Sequence, residues 1–330
     1  MDKIFKSFFL EKDNNNKQIN SIKEISKSDL MEGDVTVSVT YSSLNYKDGL
    51  AITGKLPIVK KWPMIPGVDF CGTVVESSNQ KFKKGSKVLL NGWGVGEKHY
   101  GGFSQVARVK SDWLIPLPEN IDEIQSMIIG SGGYTAMLCV IEVLKNINKN
   151  DGEILVTGAS GGVGSFSIYL LSKLGYKVSA STGKINESSY LKSIGASKII
   201  DRNEFDSEPK ALDKERWTAV IDSVGGKTLS NILTQTKYDG LVISVGLAQS
   251  PELITTVFPF ILRNITLKGI DCVYASYEKR IEAWNKLGSM CDKSEIKSMG
   301  MIKSLTNIES LSKDIIEGKI KGRIVIDVNE

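Results

Sequence analysis

The segment Gly158-Ala159-Ser160-Gly161-Gly162-Val163-Gly164 constrains this chain more than any other. An apolar run from Glu153 to Thr157 leads straight into it, and a helix-patterned stretch from about Ser165 to Leu174 leads out to Gly175 and a further strand. A glycine repeat alone is a weak signal, but at a strand-to-helix turn inside a βαβ unit it has a mechanism. Gly158 permits the tight turn, Gly161 lets backbone approach a pyrophosphate, and Gly164 lets helix pack close on strand. The helix N-terminus offers free N–H groups to the phosphates. The spacing is Gly-x-x-Gly-x-x-Gly, not the commoner Gly-x-Gly-x-x-Gly. Apolar strands at 153–157, 177–180, 198–200, 219–221, 241–245 and 266–270 alternate with helical stretches. That alternation predicts an α/β fold with a doubly wound parallel sheet, because parallel neighbours need crossovers that cover both faces.

The end of the second strand, about 20 residues past the turn, distinguishes one nucleotide from another. It reads Ser181, Thr182, Gly183, Lys184. No carboxylate among these four bonds a ribose 2′-hydroxyl or repels a 2′-phosphate, and Lys184 with two hydroxyls complements phosphate charge, so NADPH is expected over NADH. Arg202, just after the third strand, is either a second cation for that phosphate or a solvated loop charge.

Before about residue 125 the pattern differs. Short alternating or β-branched runs at 35–41, 72–76, 87–90, 105–109 and 113–117, punctuated by glycine and proline, predict a mostly β unit. Met127 to Leu144 reads as the first long helix. The tail carries a helical stretch, 307–317, and a strand, 323–328; the polar patch Asp13 to Lys17 reads as a turn.

Composition excludes several classes. In 330 residues, 42 Lys and Arg against 38 Asp and Glu leave +4, too balanced for a nucleic-acid or anionic-membrane protein. The longest apolar runs, such as 136–141, fall far short of the roughly 20 residues that span a bilayer. Lys3 and Lys6 precede only a short apolar patch, Phe8 to Leu10, so no secretory segment is expected and the cytoplasm is the default. Cys71, Cys139, Cys272 and Cys291 are scattered, without a Cys-x-x-Cys pair, which argues against a disulfide framework or a zinc knuckle. His99, the only histidine, sits in a glycine-rich loop with no Gly-x-Ser-x-Gly elbow elsewhere.

Several segments together resemble a known family: Ser42-Ser43-Leu44-Asn45-Tyr46-Lys47-Asp48, Pro66-Gly67-Val68-Asp69-Phe70-Cys71-Gly72, Asn91-Gly92-Trp93-Gly94-Val95-Gly96, the glycine turn, and Pro259-Phe260-Ile261-Leu262-Arg263-Asn264. They resemble the medium-chain dehydrogenase/reductase superfamily, and within it the acrylyl-CoA reductases, a group also named quinone oxidoreductases. The resemblance implies a GroES-like catalytic domain over 1–125 and 295–330, a Rossmann NADPH-binding domain over 126–294, and a homodimer formed through the latter. It implies no metal, since Gly67-Val68-Asp69 stands where the zinc enzymes have Gly-His-Glu. Carried over by position, it implies Tyr46 beside the nicotinamide and Ser160, Gly161, Gly162 and Val163 on the pyrophosphate. Thr182, Gly183 and Lys184 fall on the 2′-phosphate, with Arg202, Leu247, Ile261 and Cys272 at further cofactor contacts.

For such a site the expected chemistry is hydride delivery to the β-carbon of acrylyl-CoA, giving propionyl-CoA, with enolate charge held by hydrogen-bond donors. Tyr46 and Asn45 are the named donors; Tyr46 alternatively only packs on the ring, and Asp48 is read as a structural acceptor. Lys55, Lys60 and Lys61 are either CoA-phosphate cations or a solvated loop, and Trp93 either walls the pocket or is a buried aromatic. The competing readings are an NADPH:quinone oxidoreductase and a non-catalytic NADPH-binding protein.

Overall fold

The computed structural model describes residues 4–330, so Lys3 lies outside the described residues. The chain forms two compact units: one runs to Ser131 and resumes over Val273–Glu330, and the other is Gly132–Cys272.

In the first unit, β1 (Phe5–Lys12) and β2 (Gln18–Ile25) pair as an antiparallel hairpin. The polar patch closes it, with the Asp13 N–H donating to the Lys17 carbonyl and Asn16 at φ 62°. There follow β3 (Val35–Leu44), α1 (Tyr46–Thr53), β4 (Asp69–Ser77), β5 (Lys87–Asn91), β6 (Val106–Val109) and β7 (Leu114–Pro116). The helix α2 (Glu123–Asn146) comes next. By length and composition α2 would reach across a membrane, but its apolar stretch is mostly buried in the fold. The helix expected over 127–144 is interrupted at Gly130, whose φ of 48° and ψ of −158° leave the helical region. A Cβ there would lie 2.5 Å from Arg323 Nη2 and 2.6 Å from Ser43 Oγ.

The second unit holds β8 (Glu153–Val156), α3 (Gly162–Lys173), β9 (Lys177–Thr182), α4 (Ser188–Ser193), β10 (Lys198–Asp201), β11 (Trp217–Asp222), α5 (Gly226–Gln235), β12 (Thr236–Ser244), α6 (Phe258–Arg263) and β13 (Thr266–Gly269). Every strand pair is parallel, in the order β10-β9-β8-β11-β12-β13. The order reverses between β8 and β11, and ligands of such sheets bind beyond the carboxyl ends of the strands at that point. Its core gathers Leu155, Val220 and Val242 from the sheet with Ile232 and Leu233 of α5, all buried.

The chain then returns to the first unit through α7 (Tyr277–Met290), α8 (Lys293–Ser298), β14 (Gly300–Ser304), α9 (Ile308–Ile316) and β15 (Arg323–Asp327). The sheet order is β14-β15-β3-β4-β5-β7, with β6 also on β3. The pairing is antiparallel between β15 and β3, Ile324 facing Leu44.

The unit joints fall at 131/132 and 272/273, whereas the expected ones were 125/126 and 294/295. The second difference has a plain cause: α7 is tied to the first unit. The buried Arg280 guanidinium donates to the carbonyls of Asn91, Val273 and Ala275, and Trp284 Nε1 donates to Asn91 Oδ1 at 3.1 Å. The strand β14, mostly exposed, carries no alternation that would have announced it.

Close packing of α3 on β8 leaves no room at Gly164, where a Cβ would sit 2.3 Å from the Gly158 carbonyl oxygen. Gly164→Ala is therefore expected to destabilise the chain by about 1–3 kcal/mol, the usual cost of overpacking, read as a lower urea midpoint at unchanged slope.

Candidate active site

In the first unit, β3 delivers Ser42, Ser43 and Leu44 directly into α1, whose N-cap is Asn45 and whose first residue is Tyr46. The Asp48 carboxylate closes this cap, accepting from Asn45 N–H at 2.9 Å on one oxygen and from Gly67 and Val68 N–H at 3.0 and 3.1 Å on the other. Beneath the cap lies Asp69, fully buried. Its Oδ1 accepts from Ser43 N–H (3.1 Å) and Oγ–H (2.7 Å), and its Oδ2 from Asn45 Nδ2 (3.1 Å) and Ser131 N–H (2.7 Å). Arg323, also buried, donates through Nη2 to Ser43 Oγ at 2.8 Å and through Nε to the Ile128 carbonyl at 3.1 Å. Burial lowers the Arg323 pKa, and the charges of Asp69 and Asp48 oppose that. Burial, reinforced by the Asp69 charge and resisted by the three backbone donors, pushes the Asp48 carboxyl up to about 7.

Two expected site residues are thus separated by environment. Asn45 was expected as a donor to substrate; instead its amide is spent inside the fold, within reach of Asp69 Oδ2, the Ser43 carbonyl and Ser43 Oγ. Tyr46 is 41% exposed, and its hydroxyl has no partner among the described residues. Asp48 is the structural acceptor expected. Arg323 was read only as the start of a strand; the signal for its role is an arginine heading the apolar run 323–328, where burial demands a counter-charge.

In the second unit, Gly158 (φ 57°) turns the chain so tightly that a Cβ would meet Ser223 Oγ at 2.3 Å, and Gly161 caps α3. The turn is laced to the next loop, with Ser223 Oγ donating to the Thr157 carbonyl and Thr157 Oγ1 to Asp222 Oδ1. Ser160, Gly161, Gly162 and Val163 surround the start of α3, whose first-turn N–H groups have no intrahelical acceptor.

At the end of β9 the fold brings Thr182, Gly183, Lys184 and Arg202 together. Thr182 and Asp201 are register partners, so Arg202 follows directly beside Gly183. Its side chain lies over that glycine: a Cβ at 183 would fall 2.5 Å from Arg202 Nε. Lys184 sits 3.6 Å from Glu187, a carboxylate three residues beyond the 181–184 segment. Leu247 and Ile261 are exposed, on the loop after β12 and on α6, and Cys272 is partly buried beyond β13.

The remaining candidates have structural partners. His99 faces the Glu32 and Tyr100 carbonyls and lies edge-on to Trp113. Trp93, at φ 58°, stacks on Trp113 and lies 4.4 Å from the Arg280 guanidinium. Lys60 donates to the Pro57 carbonyl. Lys55 borders a cavity together with Lys313, Glu309 and Glu317, whose mixed charge does not select phosphate.

Residues 31–119 match the alcohol dehydrogenase GroES-like domain family, and residues 162–288 the zinc-binding dehydrogenase family. The chain is 48% identical to an Escherichia coli (strain K12) protein named as an acrylyl-CoA reductase, AcuI, over 95% of this chain and 97% of that one. The structure of the yhdH oxidoreductase from Salmonella enterica in complex with NADP is 46% identical and covers 98% of this chain and 99% of its own, with a TM-score of 0.95. A Bacillus subtilis (strain 168) protein named as a quinone oxidoreductase, YhfP, is 38% identical over 99% of this chain and 99% of that one. The yhfP structure, with NAD bound, covers 98% of this chain and 99% of its own and superposes with a TM-score of 0.94. The fold is that of a GroES-like domain joined to a Rossmann-type sheet. The chain belongs to the medium-chain dehydrogenase/reductase superfamily of oxidoreductases.

The zinc in the second family's description does not fit these residues. Among the described residues no three His, Cys, Asp or Glu side chains gather as a ligand set. Asp69 is saturated with hydrogen bonds beside a guanidinium, and burial pushes the Cys71 thiol up to about 12, far from thiolate.

Removing the Arg323 charge strands a buried carboxylate. Arg323→Met is expected to cost about 3–5 kcal/mol in urea unfolding, partly recovered by adding Asp69→Asn. For Asp48 the folded pKa of about 7 lies above the reference 3.8, so the folded state holds the extra proton. Its contribution to stability is full below about pH 4 and is lost as pH rises through about 7. Unfolding free energies measured across that range are expected to fall less steeply with pH in Asp48→Asn than in the unaltered chain.

Proposed function

We propose that this chain is an NADPH-dependent acrylyl-CoA reductase: acrylyl-CoA, NADPH and a proton give propionyl-CoA and NADP. The observation that carries the cofactor choice is the placement of Arg202 over Gly183, next to Lys184, at the carboxyl end of β9. Two cations there suit a 2′-phosphate. The substrate rests on the AcuI likeness. Bound NADPH supplies a hydride from nicotinamide C4 to the β-carbon of the acyl group, which leaves enolate charge on the thioester oxygen.

The rest falls to the protein. Ser160, Gly161, Gly162 and Val163, with the N-terminus of α3, hold the pyrophosphate. Thr182, Gly183, Lys184 and Arg202 hold the 2′-phosphate, and Leu247, Ile261 and Cys272 line the remainder of the cofactor. Tyr46 lies beside the nicotinamide, and its unpartnered hydroxyl donates toward the enolate oxygen. Asn45 acts by position, since its amide locks the cap from which Tyr46 projects. No metal takes part in this reading. The GroES-like domain is the catalytic one and the Rossmann domain binds the cofactor.

The chain acts as a cytoplasmic homodimer through the Rossmann domain. Supporting this, β13 ends the sheet, and Ile254, Val257, Phe258 and Leu262 near it in sequence are exposed. The name of the Bacillus subtilis relative favours a quinone as the second reading.

Oxidation of NADPH and of NADH is to be followed with acrylyl-CoA, crotonyl-CoA and a soluble quinone in parallel. Turnover confined to acrylyl-CoA with NADPH is expected; quinone turnover with acrylyl-CoA inert transfers the assignment to the second reading. Tyr46→Phe, which removes only the hydroxyl, is expected to lower kcat about 10²-fold with little change in the Kd for NADPH.

A further inference from the structure

Beyond Thr182 the chain enters a short 3₁₀ turn, Ile185–Glu187. Lys184 N–H donates to Thr182 Oγ1 at 3.0 Å, and Glu187 N–H donates to the Lys184 carbonyl at 2.9 Å, which pins the backbone on both sides of the lysine. The turn carries the Glu187 carboxylate back to Lys184, with Oε1 3.6 Å from Nζ. The glutamate side chain is the more enclosed of the two, 17% exposed against 29%. Its second oxygen, Oε2, is buried and accepts no hydrogen bond among the described residues. Buried acceptors are ordinarily satisfied, so an orphan beside a ligand-facing lysine marks a group kept for some other purpose. Burial pushes the nearby Tyr190 phenol up, and the Glu187 charge adds a smaller push in the same direction. Glu187 therefore stands among the groups on the adenosine side of the cofactor site.

We propose that Glu187 is a specificity-determining residue, a built-in counter-charge that moderates the preference of this site for a 2′-phosphate over a free ribose 2′-hydroxyl. The proposal rests on the reading of Lys184 and Arg202 as the 2′-phosphate cations. A 2′-phosphate brings about −1.5 to −2 charges at neutral pH. Glu187 opposes it twice, by holding the lysine that should meet it and by placing like charge near it. Toward NADH the same carboxylate is no burden, because acidic side chains in this part of the fold accept from the ribose 2′-hydroxyl. The site thus carries cations for one nucleotide and a carboxylate tolerant of the other.

The test is fluorescence titration of the full chain with NADPH and, separately, NADH, on the unaltered protein and on Glu187→Gln, Glu187→Ala, Lys184→Met and Arg202→Ala. Glu187→Gln and Glu187→Ala are expected to raise the NADPH-over-NADH affinity ratio about five- to tenfold, mainly by tightening NADPH. A ratio unchanged or lowered in both overturns the proposal. General damage to the fold weakens both nucleotides together and leaves the ratio in place, which counts against it equally. Lys184→Met and Arg202→Ala report on the underlying reading: if neither lowers the ratio, the 2′-phosphate assignment itself falls. If they lower it while the Glu187 variants do not raise it, only the role of Glu187 is lost.

Discussion

The buried carboxylate of Asp69 is the constraint on which the first unit depends. A carboxylate taken wholly out of water must be hydrogen-bonded and balanced by charge; here Ser43, Asn45 and Ser131 donate to it, and Arg323 brings the charge while donating to Ser43 Oγ. Ser43 ends β3, Asn45 caps α1, Ser131 follows the break in α2, and Arg323 starts β15 near the C-terminus. Satisfying Asp69 therefore fixes where the returning tail docks, why α2 breaks at Gly130, and how α1 begins. Asp48 extends the same network upward, tying the cap to Gly67 and Val68. The exposed Tyr46 stands on this foundation, and a side chain is more precisely held by a locked helix start than by a loop.

The second unit depends on a different device. Parallel register sets the ends of adjacent strands side by side, so Gly183 and Arg202, which follow β9 and β10, meet although 19 positions apart in the chain. Gly183 has no side chain, and the Arg202 guanidinium lies where one would have been. The glycine turn after β8 works by the same logic of vacated space: Gly158 and Gly164 let backbone and helix approach to distances that any Cβ would prevent. The surrounding Thr157, Asp222 and Ser223 bonds hold that approach rigid.

Much of this was legible from residues alone. The six strands of the parallel sheet were read at or within a few residues of where they lie; the central β8 and β11, buried on both faces, are near-continuous apolar runs, and the exposed edges β10 and β13 follow from the alternation with helices. The glycine turn was legible because its mechanism is local. The hairpin β1–β2 and the edge strand β14 were not: β2 is polar and holds no buried residue, and β14 is five residues long with none buried, so neither leaves a periodic trace. Asn45 was misjudged for a related reason: whether an amide faces substrate or a buried carboxylate depends on what packs beneath it.

By itself the sequence determined the class of the sheet, the glycine turn that opens α3 and the residue types at the end of β9, since these follow from period, spacing and glycine content within short windows. Only the tertiary structure decided that Arg323 answers Asp69, that Arg202 covers Gly183, and that Glu187 turns back on Lys184. Those are pairings across a crossover, a returning tail or a turn whose path is set by hydrogen bonds. Charge complementarity in a low-dielectric interior acts through distance in space, which separation along the chain does not record.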